Sequence, residues 1–271
     1  MNTATKPKPP AKQEAGGLPA ELMQDLYGDA GMGSESATAE DMSIPFVRCA
    51  QSLSAEISKR EAAYIPGLEE GDFYNTATQQ TWKGETGFLF VPALFQRKFL
   101  EWTPRDAGGG FAGEHGPEIM DRTTKDEKGR DLLDNGNEIL PTGTWYGLVL
   151  DEETGAAQQV VISLAKTQMK VSRQLMTKLK TVALPRPDGK GTFNPPLFYN
   201  ALRVTSVPES NDQGRWMSFR FALDGTVLDR PGGAGTYAQA KAMLEAVRSG
   251  AIKAAVVRES GGDEDDKEIP F

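Results

Sequence analysis

Basic residues are concentrated between residues 166 and 190. Seven lysines and arginines occur there with a single acidic residue, Asp188. Four of them recur at helical spacing, so that a helix would carry them on one side, opposite an apolar side: Lys166, Lys170, Arg173 and Lys180. Cationic groups in a stripe of this kind neutralise successive phosphates of a nucleic acid. The stretch therefore predicts a phosphate-binding helix.

Aromatic and basic side chains share one face in two later segments, 197–207 and 215–223. The alternation in these segments is typical of paired strands, with apolar residues on the other face. The shared face would hold Tyr199, Arg203, Trp216 and Arg220, and an earlier strand ends with a similar combination, Lys98 and Trp102. Aromatic rings between cations stack bases and hold phosphates with little sequence preference. The alternative is that the rings cap the core and the arginines are solvated.

Few residues are available for catalysis or metal binding. Cys49 and His115 are the only cysteine and histidine, which excludes an ordinary zinc site and a Cys/His or Ser/His/Asp arrangement that the sequence could identify. The glycine-rich stretch 108–113 matches a dinucleotide fingerprint by letter, but no helical pattern follows it. Carboxylates within 118–128 are reminiscent of a metal-dependent nuclease, yet no strand would hold them. We therefore expect neither enzyme activity nor a cofactor.

The net charge of −8 is divided unevenly along the chain. Residues 1–44 and 259–271 are acidic, whereas the remainder is nearly neutral. Low hydrophobicity in the first 42 residues predicts a disordered N-terminal arm, 1–42, with at most a short helix near 19–27. The sequence then predicts one domain, 43–250, and an acidic tail, 251–271. No signal peptide or membrane-spanning run is found, which favours a cytoplasmic protein without membrane partners.

The order of predicted elements in the domain indicates a mainly β fold of the α+β type. After an N-terminal hairpin within 64–82 come strands at 88–102, 144–150 and 158–163, a helix at 164–182, two strands, and a last helix at 236–249. The region 103–142 shows no periodicity and is expected to be a loop. Three strands, a helix and two strands is the order of the five-stranded OB-fold barrel, which binds oligonucleotides. Other small barrels or a β-sandwich give a similar order.

The chain closes with a run of acids followed by Ile-Pro-Phe. These residues are Asp263, Glu264, Asp265, Asp266, Glu268, Ile269, Pro270 and Phe271. The run resembles the C-terminal tip of bacterial single-stranded-DNA-binding proteins. The resemblance implies that Phe271 enters a pocket on an exonuclease, helicase, primase or polymerase subunit, while the acids lie along a basic rim. Lys267 departs from the pattern, and a plain solubility tail is the alternative.

The domain is similar in element order and tail to the single-stranded-DNA-binding proteins of tailed phages. The resemblance implies a phage protein in the host cytoplasm that coats single-stranded DNA in replication or recombination and recruits enzymes through its tail. Alternatives are a recombination mediator that anneals strands, a protein-interaction adaptor, and a nuclease using the 118–128 carboxylates. A homo-oligomer is possible.

Overall fold

Long apolar segments build one large sheet in the computed structural model of the protein, which describes residues 19–30, 32–36, 43–212 and 214–254. The strands of these residues are β1 (Ser43–Ile44), β2 (Val47–Cys49), β3 (Phe73–Asn75), β4 (Thr81–Trp82), β5 (Phe88–Thr103), β6 (Gly110–His115), β7 (Thr124–Lys125), β8 (Asp131–Leu132), β9 (Glu138–Leu150), β10 (Ala157–Ala165), β11 (Leu184–Pro185), β12 (Thr192–Phe193), β13 (Asn200–Asn211), β14 (Gly214–Thr226) and β15 (Lys253–Ala254). The helices are α1 (Ala20–Gly28), α2 (Met169–Thr181) and α3 (Gly233–Ser249).

The chain divides into two units, Met1–Thr38 and Ala39–Phe271. In the first unit, α1 follows Pro19 and has Glu21 in its first turn, where a carboxylate interacts favourably with the helix dipole. This agrees with the short helix predicted near 19–27. The prediction of disorder for residues 1–18, 31 and 37–42, and the prediction of an acidic tail beyond residue 254, concern residues outside the described ones.

Five strands form the body of the second unit. They pair in the order β14, β13, β5, β9, β10, and each of these pairs is antiparallel. The β5–β9 ladder is the longest and runs from Leu89 opposite Leu150 to Trp102 opposite Glu138. The result is an open, curled sheet, a half-barrel. The predicted mainly β class is confirmed.

Both faces of the curled sheet are covered. On β5 the unbroken apolar run at 88–91 sends Phe88 and Phe90 to the inner face, and Leu89 and Val91 to the outer face. The inner face gathers side chains from all five strands and is closed by α2 together with β2 and β3. The outer face is covered by α3. Burial on two sides explains why this strand lacks the apolar–polar alternation of a half-exposed one.

The half-barrel is not closed by pairing of β10 with β14 in the described residues. The side-chain amide of Gln51 occupies the edge of β14, where it donates to the Met217 carbonyl at 2.9 Å and accepts the Met217 N–H at 2.8 Å. At the edge of β10, the Val161 N–H donates to the Pro45 carbonyl at 2.8 Å. The segment 45–51 thus supplies the partners of both edges. A closed five-stranded OB barrel is accordingly not confirmed.

The region 103–142 is structured, and its prediction as a loop is wrong. It contains β6, β7, β8 and the start of β9, which extend the sheet beyond the half-barrel. Together with the end of β5 it forms an arm, residues 96–142, that has its own small core of Phe99, Ile119, Leu133 and Ile139. Two of its strands are only two residues long, too short for a detectable period.

Candidate nucleic-acid interface

The basic helix α2 is held against the sheet by one buried polar contact and by apolar packing. Trp145 on β9 is fully buried, and its indole N–H donates to Ser172 Oγ at 2.9 Å. Leu175 and Leu179 enter the inner core from the same side of the helix. The predicted amphipathic helix is therefore present, although its first residues extend β10 and then form a 3-10 turn, Lys166–Gln168.

The outer side of α2 and the turn before it carry four exposed cations, here called the basic ridge: Lys166, Lys170, Arg173 and Lys180. No ion pair occupies Lys170, Arg173 or Lys180 within the part of the chain that the structure describes. The sequence predicted this grouping, and the structure places the four residues together. Lys170, Arg173 and Lys180 are therefore available to an anionic partner.

The helix dipole shows that part of the basic ridge does not serve stability. Cations stabilise the C-terminal end of a helix, where Lys178 and Lys180 lie. Lys170 instead lies in the first turn, which contains no acidic residue, and Lys166 immediately precedes the helix. A positive charge at the N-terminal end opposes the dipole. Lys170 therefore costs helix stability unless an anion approaches it.

A cleft of about 300 Å³ opens between α2 and the β13–β14 hairpin. Its apolar lining comes from Val171, Leu175, Val207, Phe219 and Phe221, and its polar lining from Gln174, Lys178, Glu209 and Arg220. The Lys178 ammonium donates to the Phe221 carbonyl at 3.0 Å, which fixes one wall to the other. Arg220 is exposed, so the predicted strand cation and the predicted helix meet at this cleft.

Two other predicted cations are already paired. The Lys98 ammonium lies 2.7 Å from Glu114 Oε2 and is mostly covered. Burial would lower the pKa of Lys98, but the Glu114 carboxylate and Tyr146 outweigh it and raise that pKa above its ordinary value. Arg203 contacts both oxygens of Glu152 at 2.5 and 2.7 Å and Asp224 at 3.2 Å. Because both cations already have acidic partners, neither Lys98 nor Arg203 belongs to the candidate nucleic-acid interface.

The predicted aromatic residues occupy different environments. Trp102 is only 3 % exposed, and its ring packs against Phe111, so it belongs to the core. Tyr199 lies in the 3-10 turn Leu197–Tyr199 before β13, not on a strand face beside Arg203 as expected. Trp216 is half-buried on β14, opposite Glu209. Of these three aromatic residues, only Trp216 lies beside the cleft, because its cross-strand partner Glu209 lines it.

Sequence reasoning did not identify Gln174, Lys178 or Glu209 as site residues. Gln174 and Lys178 were hidden because they lie between the apolar and basic sides of α2, one turn apart. Glu209 lies beyond the predicted segment 197–207, whereas β13 continues to Asn211. A helical wheel that included polar residues flanking Val171 could have found the first two.

The arm is tied together by a nearly buried carboxylate, Glu101 on β5. It accepts from Asn137 Nδ2 at 2.5 Å and Asn135 Nδ2 at 3.3 Å, and lies 2.6 Å from His115 Nε2. The Asn137 amide is the main cause that holds the pKa of Glu101 below its ordinary value of 4.5; burial opposes it, and His115 and Asn135 support it. One carboxylate thus joins β5, β6 and the β8–β9 turn.

Acid should loosen this arm. A carboxyl group with a lowered folded-state pKa stabilises the fold above its unfolded pKa, and this contribution is lost as the pH falls through the folded value. We therefore expect the protection of backbone amides against hydrogen exchange, taken relative to an unfolded chain at the same pH, to fall in β6 and at 135–137 below about pH 4.5 in the wild type. Glu101→Gln should have lower protection already at neutral pH and should lack this acid step. Glu118→Gln, an exposed position on the same arm, should behave as the wild type.

The carboxylates at 118–128 do not gather into a metal site. Within the described residues, no group of three or more His, Cys, Asp or Glu side chains could hold a metal ion. Asp126 accepts from Arg130 Nε at 2.7 Å and from the backbone N–H groups of Lys128 and Arg130, as a turn residue does.

Among the helices of the described residues, none is long and apolar enough to cross a membrane.

Fold and surface together define a mainly β half-barrel protein with one basic helix. The family model described as Pam3 phage gp34-like protein matches residues 12–253, and the chain belongs to this family. This agrees with the predicted phage origin. Comparisons with curated proteins and with solved structures find no match.

Proposed function

We propose that this phage protein binds single-stranded DNA along the basic ridge and acts in replication or recombination in the infected cell. The observation that carries the proposal is the set of exposed cations on α2 that have no acidic partner in the described residues. A surface of this type binds the sugar-phosphate backbone without reading sequence. The cleft beside it, with Arg220 on its rim, extends the same surface.

The arrangement of the strands is consistent with a modified OB fold. β5, β9, β10, α2, β13 and β14 follow one another in OB order, and the OB barrel is itself a partly open Greek-key barrel. In this interpretation the segment 45–51 fills the position between β10 and β14. The arm and the β13–β14 hairpin then correspond to the two loops that flank oligonucleotides in this fold.

Fluorescence anisotropy with a labelled single-stranded oligonucleotide tests the proposal directly. We expect saturable binding that unlabelled single strands compete away better than duplex does, and that weakens steadily with added salt. Magnesium should neither be required nor cause cleavage. Binding that is insensitive to salt would contradict the proposal, and magnesium-dependent degradation of the oligonucleotide would favour a nuclease.

The acidic residues after 258 form the second part of the proposal. These residues lie outside the described ones, and their role is inferred from their sequence alone. Residues 259–271 combine six acids with one lysine and include the Ile269-Pro270-Phe271 motif. We propose that Phe271 is the anchor by which replication or recombination enzymes are recruited, with the neighbouring acids guiding encounter.

The charge of this tail should also oppose DNA binding. A tethered acidic segment reaches the basic ridge at high effective concentration and competes with phosphates. Deleting 259–271 should therefore tighten DNA binding at low salt, by roughly tenfold if the competition is worth about 1.4 kcal/mol, with the gain shrinking as salt rises. Phe271→Ala keeps the charge and should leave DNA affinity unaltered. Equal affinity of full-length and truncated protein at every salt concentration would exclude this competition.

A further inference from the structure

Phosphate binding alone leaves the cleft between α2 and the β13–β14 hairpin unexplained, because five of the nine residues that line it are apolar. We propose that this cleft holds one base of the bound strand, turned away from its neighbours, while the basic ridge holds the flanking phosphates. The inference rests on the proposed function and specifies which part of the nucleic acid each wall contacts.

The size and chemistry of the cleft fit a flat aromatic ring. About 300 Å³ is at the lower limit of ligand pockets, which suits a small group. Phe219 and Phe221, which form part of the lining, are almost fully buried, and their rings lie nearly parallel to each other with 6.0 Å between their centroids. Around the rim, Gln174, Arg220 and Glu209 offer both donors and an acceptor. A mixed rim satisfies the edge of any base, which is the behaviour expected of a sequence-tolerant binder.

Two buried polar groups beside the cleft support an occupant with hydrogen-bonding atoms. Ser218 Oγ and Trp216 Nε1 have no hydrogen-bond partner within the described residues. On the hairpin they lie directly opposite Val207 and Glu209, which line the cleft. Buried polar groups are nearly always satisfied in folded proteins, so each exception requires an explanation. Because both atoms are covered in the unbound protein, a base against Val207 and Glu209 would reach them only after a shift of the β14 side chains.

The positions of the cations fit the same strand. Lys170 lies one helical turn before Gln174, and residues four apart on a helix are neighbours on its surface. A nucleotide with its base in the cleft would therefore have its phosphate beside Lys170. Arg220 lies on the opposite wall and is available to the next phosphate.

The test compares a labelled oligothymidylate with a base-free (abasic) strand of the same length, using the full chain. Val207→Phe fills the cleft from β13, and Val171→Phe fills it from α2. Ala222→Phe is the matched control, because Ala222 is exposed on the same hairpin and does not line the cleft. Thermal melting identifies any variant that fails to fold.

The wild type and Ala222→Phe should bind the oligothymidylate on the order of tenfold more tightly than the abasic strand, since the contribution of one stacked base is a factor of this order. Either filling variant should reduce this preference to within about twofold, while its affinity for the abasic strand stays unchanged. A wild type without the preference, or a folded filling variant that retains it, overturns the base site and leaves the proposed function intact. Failure of the wild type to bind either strand overturns the proposed function itself.

Discussion

Reversing three cations of α2 that have no ion pair among the described residues, as Lys170→Glu, Arg173→Glu and Lys180→Glu together, should weaken single-strand binding on the order of a hundredfold at low salt. Each charge-assisted phosphate contact is worth about 1 kcal/mol or more, so three lost contacts give this magnitude. The slope of log affinity against log salt should also become shallower by about 2, because each contact contributes about 0.7. Lys166 is left unchanged, because it lies in the 3-10 turn before α2 and not on the helix itself. Anisotropy titrations over a range of salt concentrations measure both quantities.

A second triple variant controls for the change in net charge. Lys59→Glu, Lys241→Glu and Arg248→Glu alter the same number of exposed basic residues, but none of them belongs to α2 or lines the cleft. Its affinity should fall by less than a few-fold, because the interaction of distant surface charges is largely screened. Similar losses in the two variants would mean that overall charge, not the basic ridge, determines binding.

The larger elements of this fold follow from sequence because their apolar patterns are local. The alternation in β13 and β14 predicts that Val204 and Phe221 face the core, and both do. The change of period after β10 predicts α2. Each of these features depends on residues within one element, which is the scale at which periodicity carries information.

The ionic partners of the candidate site residues could not be predicted, because they come from distant parts of the chain. Arg203 is paired with Glu152, 51 residues away, and the two meet because β13 lies beside β5, which in turn pairs with β9. The cleft has a similar origin. Its two walls, α2 and the β13–β14 hairpin, are joined by the contact between Lys178 and Phe221, which are 43 residues apart. The composition of the sequence predicts a basic surface, whereas the pairing of distant residues in the fold determines which cations remain available to an anionic ligand.

Adding one methyl group at Gly143 on β9 should be strongly destabilising, because α2 rests against this position. A Cβ at Gly143 would lie 2.5 Å from Ser172 Oγ and 3.2 Å from the Phe95 ring. Overpacking of this kind costs about 1–3 kcal/mol. Displacement of Ser172 would also leave the buried Trp145 indole N–H unsatisfied, which costs about 1–3 kcal/mol more. Urea denaturation of Gly143→Ala should therefore show a loss of about 3 kcal/mol or more.

Two comparisons separate this contact from a general intolerance of strand glycines to substitution. Gly113→Ala on β6 has its nearest neighbour, His115 Nε2, at an ordinary 3.4 Å, so its stability should change by less than about 1 kcal/mol. Ser172→Ala removes the atom that the new methyl group would strike. The double variant Gly143→Ala/Ser172→Ala should therefore be more stable than the sum of the single losses predicts, by about 1 kcal/mol or more. Strict additivity would show that α2 does not rest on Gly143.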